Sequence, residues 1–217
     1  LSQQNQTLEK ILEVLYENRN NEARQLVKQG LRHYVNNEFD EAEERFKKAL
    51  EEDTTNYQVL MNLAFIEIHK ENSDRALYFF NKAKSLPEYI DSPSKARTLW
   101  AIARLYYANN DSQKAYLFAG EAAKHDNPQD PKVSYSLGVY AALAGEKDMA
   151  LKKIETAILL DSSYFSRCVI EPDLQMIKAD ILSLVGRLST QAESLAKRKL
   201  AETMSEFSKI SQRGLHH

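Results

Sequence analysis

One cysteine, one tryptophan, five prolines and six glycines are all that 217 residues contain of these types. A lone thiol, Cys168, cannot close an internal disulfide, which points to a reducing compartment and a cytoplasmic location. No histidine lies near it in sequence to act as a base, so a small buried side chain is the expectation. So few glycines and prolines leave little turn punctuation, which suits helices joined by short connections. No apolar run approaches the ~20 residues that span a bilayer. The basic start and short apolar core of a secretory signal are also missing. A formal charge of −2 and a pI near 6.3 provide no basic field for phosphate backbones, so nucleic acid is not an expected partner. The cluster Lys197, Arg198, Lys199 is interleaved with acids and reads as a solvated helix face. The chain opens on Leu1 rather than Met, as a fragment or processed product would, with any upstream membrane or targeting segment out of view. His216 and His217 read as a purification-tag remnant and are set aside.

Catalytic constellations are equally scarce. His33 and His69 fall on helical stretches and His125 in the turn HDNPQDP, none with a Ser or Cys partner placed by spacing. HExxH, GxSxG and P-loop patterns do not occur. The pairs Glu43–Glu44 and Glu51–Glu52 lie on a polar helical face and read as surface charge. No His, Cys and Asp grouping has metal-ligand spacing. Neither enzymatic activity, nor a cofactor, nor a metal is expected.

What the chain does have is a return. In NEFDEAEERFKKALEED, residues 37–53, Ala42, Phe46 and Ala49 share one helical face. Ala42, Ala76, Ala115 and Ala150 follow one another at steps of 34, 39 and 35. Ala49, Ala83, Ala122 and Ala157 repeat those steps, and Phe46, Phe80, Ala119 and Ile154 sit between. Upstream of each block lies a second helical pattern: Leu26, Gly30, His33; Leu60, Leu63, Ala64; Leu99, Ile102, Ala103, Tyr106; Leu137, Gly138, Ala141. Each unit is thus helix, turn, helix. The turns NNEFD, ENSD, NNDS and GEKD offer Asn or Gly for a left-handed helix end and Asp or Ser for the next N-cap. Gly30, Ala64, Ala103 and Gly138 are expected at the closest helix approach, filled by Phe46, Phe80 and Ile154. The five extra residues between units two and three fall in LPEYIDSPSK, residues 86–95, where Pro87 and Pro93 predict a longer loop.

This pattern resembles the tetratricopeptide repeat, with its 34-residue period and its W-x2-L-G-x2-Y…A-x3-F…P signature. The likeness covers about residues 23–164. The opening Trp place holds Leu26, Leu60, Leu99 and Ser134, and the closing Pro place holds Thr54, Glu88, Asn127 and Ser162. The resemblance implies an all-α fold: a right-handed α-solenoid of about four units, over 23–56, 57–90, 96–130 and 131–164. It also implies a non-catalytic scaffold that takes a protein segment in a groove lined by the first helices. Carried onto this sequence, the groove residues are Val27, Leu31, Tyr34, Met61, Phe65, His69, Arg97, Trp100, Arg104, Tyr107, Tyr135 and Val139. Val27 and Leu31 occupy places where the family's carboxylate clamp has Lys and Asn, which argues against that subset. The remaining set favours an apolar or amphipathic peptide, with Arg97 and Arg104 near any acidic group.

The ends are less patterned. Residues 1–21 carry Leu8, Ile11, Leu12 and Leu15 on one stripe, an amphipathic helix that caps the first repeat, pairs with a copy of itself, or continues a longer helix. After unit four, DSSYFSRCVIEPDL reads as a degenerate fifth beginning, and Pro172 suits the first turn of a helix starting near Asp173. Leu174, Ile177, Ile181, Leu184 and Leu188 form a strong stripe over a capping segment, 165–189. In 190–217 the stripe continues through Ala192, Leu195, Leu200, Met204, Phe207 and Ile210 with shifted phase. The alternative to a peptide-binding scaffold is a self-associating module, homo-oligomeric through its terminal helices, which also fill the groove.

Overall fold

The computed structural model describes residues 2–86 and 92–214, with side chains for 17, 20–86 and 93–207. The N-terminal stripe side chains, Ile210, most of the insertion and the terminal histidines lie outside these. The chain is all-α, with no strand among the described residues. It divides into two compact units, one ending at Asp126 and the other beginning at Asn127.

The first unit holds three hairpins: α1 (Ser2–Val35) with α2 (Phe39–Glu52), α3 (Tyr57–His69) with α4 (Ser73–Lys84), and α5 (Ser92–Ala108) with α6 (Ser112–Lys124). Adjacent hairpins stack, α2 on α3 and α4 on α5. In the second unit α7 (Pro131–Leu143) pairs with α8 (Lys147–Leu160). A short α9 (Tyr164–Ile170), a 3-10 segment (Pro172–Ile177) and the 37-residue α10 (Lys178–Gly214) follow.

The hairpin turns share one backbone design. Asn37, Glu71, Asn110 and Gly145 all take φ between 57° and 83°. They follow one another at the repeat's own steps. After each, the next N–H reaches back to a carbonyl five residues earlier: Glu38 to His33, Asn72 to Glu67, Asp111 to Tyr106 and Glu146 to Ala141, at 2.8–2.9 Å. This bond satisfies a helix-end carbonyl that would otherwise be open. Side-chain capping is less uniform. Asn72 accepts from the N–H of Arg75 and Asp111 from that of Lys114, whereas Glu38 and Glu146 accept no such bond.

Packing follows the small-residue logic. The repeated alanines 42, 49, 76, 83, 115, 122, 150 and 157 are all at most 1% exposed. Phe46, Phe80 and Ile154 are fully buried. A Cβ on Gly30 would stand 2.7 Å from Phe46 Cε1, and one on Gly138 would stand 2.9 Å from Ile154 Cγ1. In the third hairpin, where Ala119 replaces the aromatic, Tyr106 stacks on Phe118 at 5.3 Å.

Other segments depart from expectation. Residues 2–21 and the first repeat helix form one unbroken α1. Pro93 is taken into the first turn of α5, where a missing N–H costs nothing. Pro172 opens the 3-10 segment, so the following α-helix begins only at Lys178. From there a single helix runs through both the capping segment and the tail.

Candidate protein-interaction surface

In the first unit the residues expected to line a groove come from α1, α3 and α5. Val27, Leu31, Tyr34 and Phe65 are half-buried, each resting on the core with part of its surface in water. The α1–α3 contact is aromatic. Tyr34 meets Phe39 and His69 edge-on, His69 stacks on Phe39 at 4.5 Å, and Tyr34 Oη lies 3.3 Å from His69 Nε2. Burial pushes the Tyr34 phenol up from its ordinary range. Phe65 sets its edge against buried Phe80 at 5.6 Å, which fixes the ring without hiding it.

Met61 is placed differently. It is 4% exposed, and Thr98 Oγ1 lies 3.5 Å from its sulfur. Tyr57 donates to the Ser94 carbonyl and accepts from Thr98, tying α3 to α5 beside it. Met61 is core at that junction, although it occupies the same repeat place as half-buried Val27 and Trp100.

On α5, the indole N–H of Trp100 donates to Asp126 Oδ2 at 2.8 Å, so one edge of the ring is anchored and the ring stays half-buried. Arg97, Arg104 and Tyr107 are exposed. Neither arginine forms an ion pair among the described residues. Asn62, one residue from Met61, has a buried side-chain NH2 with no partner among the described residues. Between α1 and the start of α3, Val27 borders a cleft of about 400 Å³ shared with Arg24, Lys28 and Gln58.

In the second unit, Val139 is half-buried and Tyr135 is 4% exposed. The Tyr135 hydroxyl donates to Glu171 Oε2 at 2.9 Å, and its ring packs on Tyr164 and under Arg167. Burial first, and then the Glu171 carboxylate, raise this phenol far above its ordinary value. Tyr135 holds the α7–α9 region together and presents no surface to a ligand.

An ionic cluster behind the surface escaped the sequence reading, in which Glu43 was surface charge. Glu44 and Glu51 are exposed, but Glu43 is 8% exposed and Glu67 only 1%. Lys47 and Lys70 bind the Glu43 carboxylate, at 2.5 and 2.6 Å, and Arg75 reaches both Glu43 (3.3 Å) and Glu67 (3.0 Å). Burial pushes the Glu43 carboxyl up, but hydrogen bonds from Lys47 and Lys70 with their charges outweigh it and hold it at about 2. Glu67 stands 34 residues after His33, in the repeat's aromatic place, and that coincidence is the signal that marked it. His33 itself pairs with Glu38 at 2.5 Å.

Among the described residues no three His, Cys, Asp or Glu side chains gather as a metal site, and no helix is long and apolar enough to cross a membrane. What the first unit offers is an apolar and aromatic ledge, with Arg97 and Arg104 exposed on α5 and in no ion pair among the described residues. Stacked hairpins of this kind define an all-α helical-repeat fold. Residues 27–93 match the family model of the tetratricopeptide repeat, and proteins built on such repeats are in general protein-interaction scaffolds.

Solved structures with the same fold include MamA (18% identity, TM-score 0.62, covering 82% of this chain and 96% of that one). PilF of Pseudomonas aeruginosa is similar at 18% identity and a TM-score of 0.57, over 78% of each chain. YrrB, described as a tetratricopeptide-repeat protein with an unusual peptide-binding site, is similar at 17% identity and a TM-score of 0.58, over 82% of this chain and 97% of its own. No curated protein matches the chain by sequence. Identities this low carry the fold alone.

Proposed function

We propose that the chain is a non-catalytic scaffold whose first unit binds an apolar or amphipathic peptide segment along α1, α3 and α5. The observation that carries this is the partial exposure of Val27, Leu31, Tyr34, Phe65 and Trp100 on rigid helices. Each large apolar side chain gains about 1.5–3 kcal/mol on complete burial, whereas an exposed ion pair gives about 0–1 kcal/mol. Affinity therefore resides in the apolar ledge. Arg97 and Arg104 select for acidic residues at one end of the peptide, and Trp, Tyr and Arg are the residue types that dominate such contacts. The peptide-binding site described for YrrB is consistent with this use of the fold.

Trp100 is the only tryptophan in the chain, so its emission reports on this surface alone. Peptides selected from a display library would be titrated against the whole chain. The expected result is saturable, one-to-one binding that shifts Trp100 emission and weakens at least about tenfold in Phe65→Ala. Tight binders that leave the emission unmoved and tolerate Phe65→Ala would overturn the assignment.

A further inference from the structure

No residue from Ser189 to Phe207 is buried, although α10 remains helical through Gly214. Helices of this kind draw most of their stability from packing an apolar face. That face is present and bare: Leu200, Met204 and Phe207 lie within about 60° of one another round the helix and are 62%, 65% and 74% exposed. Ala196, Leu200, Thr203 and Phe207 step by four, three and four, the 3.5-residue spacing of a helix–helix seam.

We propose that this segment pairs with the same segment of a second copy of the chain, antiparallel, about a two-fold axis between Ala201 and Glu202. The register follows from size and charge. With the axis there, Phe207 faces the small Ala196 of the second copy, and Leu200 faces Thr203. Both layers occur twice by symmetry, as an isologous contact requires. Lys199 and Glu206 fall on the flank of the seam that meets its own kind in an antiparallel pair, so each Lys199 faces a Glu206 and two opposite-charge contacts form. Arg198 lies 3.7 Å from Glu202 of its own helix. Parallel pairing fails on the same residues. It sets Glu193 against Glu193 and Phe207 against Phe207 in the seam, and leaves Lys199 facing Met204. The proposal is independent of the peptide surface on the first unit.

The test uses the whole chain in a Cys168→Ala background, with a nitroxide label on Glu202→Cys or on Thr190→Cys, and sedimentation to establish mass. A dimer is expected. Labels at 202 should lie close together and labels at 190 about 35 Å apart, since each residue rises 1.5 Å. Equal short distances at both places, or a monomer at 100-micromolar concentrations (about 10⁻⁴ M), would overturn the proposal. A second arm needs no label. Phe207→Asp, at an exposed place, should abolish the dimer without loss of helix. Lys199→Glu should weaken it about tenfold, and Lys199→Glu with Glu206→Lys should restore it. A dimer indifferent to both changes would exclude this interface.

Discussion

Gly30 of α1 and Phe46 of α2 meet so closely that a methyl group on the glycine would stand 2.7 Å from the buried ring. Gly30→Ala gains about 1 kcal/mol of helix propensity, but forcing a methyl into a filled core costs about 1–3 kcal/mol. Phe46 is fully buried and cannot swing aside, so a net loss is expected. Gly120, also helical, has nothing within 4 Å of a built Cβ. Gly120→Ala should therefore stabilise by up to about 1 kcal/mol. Urea unfolding of the two variants should move in opposite directions.

Glu71 sits in the left-handed place that Asn37, Asn110 and Gly145 fill in the other turns, at φ 57°. Its side chain is exposed, and the turn needs only its backbone. Glu71→Gly should raise stability by about 1 kcal/mol, measurable as a higher thermal midpoint, whereas Gly145→Ala should lower it.

The hairpin order, the alanine contacts and the glycine approaches were all legible in the sequence, because each repeats at a fixed step and local periodicity is enough to see it. The burial of groove places was not. Val27, Met61, Trp100 and Tyr135 occupy one repeat position, yet Met61 is covered by Thr98 and Tyr135 by Tyr164 and Glu171. Those partners lie tens of residues away, beyond any pattern read one helix at a time. Glu43 escaped for the same reason, since Lys70 and Arg75 reach it from the next hairpin. The unbroken α1 and α10 were hidden by polar stretches and a phase shift, neither of which breaks a helix that has no Pro to stop it.

The Glu43 carboxyl is held at about 2, below its ordinary value of 4.5. A depressed carboxyl adds stability that is complete above its unfolded value and is lost as pH falls through the folded one. Stability should thus drop between about pH 4.5 and pH 2. Glu43→Gln should lower stability at pH 7 by about 1–3 kcal/mol and flatten the acid limb, as denaturant curves at pH 3 and pH 7 would show.

Cys168 is 2% exposed, its Sγ lies 3.3 Å from the Phe165 carbonyl, and burial pushes the thiol up. Since only the thiolate reacts, folded protein should label with a disulfide reagent at least about 100-fold more slowly than unfolded protein. Equal rates would mean that the α9 region opens freely.

The most direct measurement on the ledge is calorimetry of a selected peptide against the whole chain and against Phe65→Ala with Trp100→Ala, alongside circular dichroism. The expected result is a retained helical signal with binding at least about 30-fold weaker, a loss of roughly 2 kcal/mol. Unchanged affinity, or collapse of the helical signal, would contradict a peptide-binding surface built from these side chains.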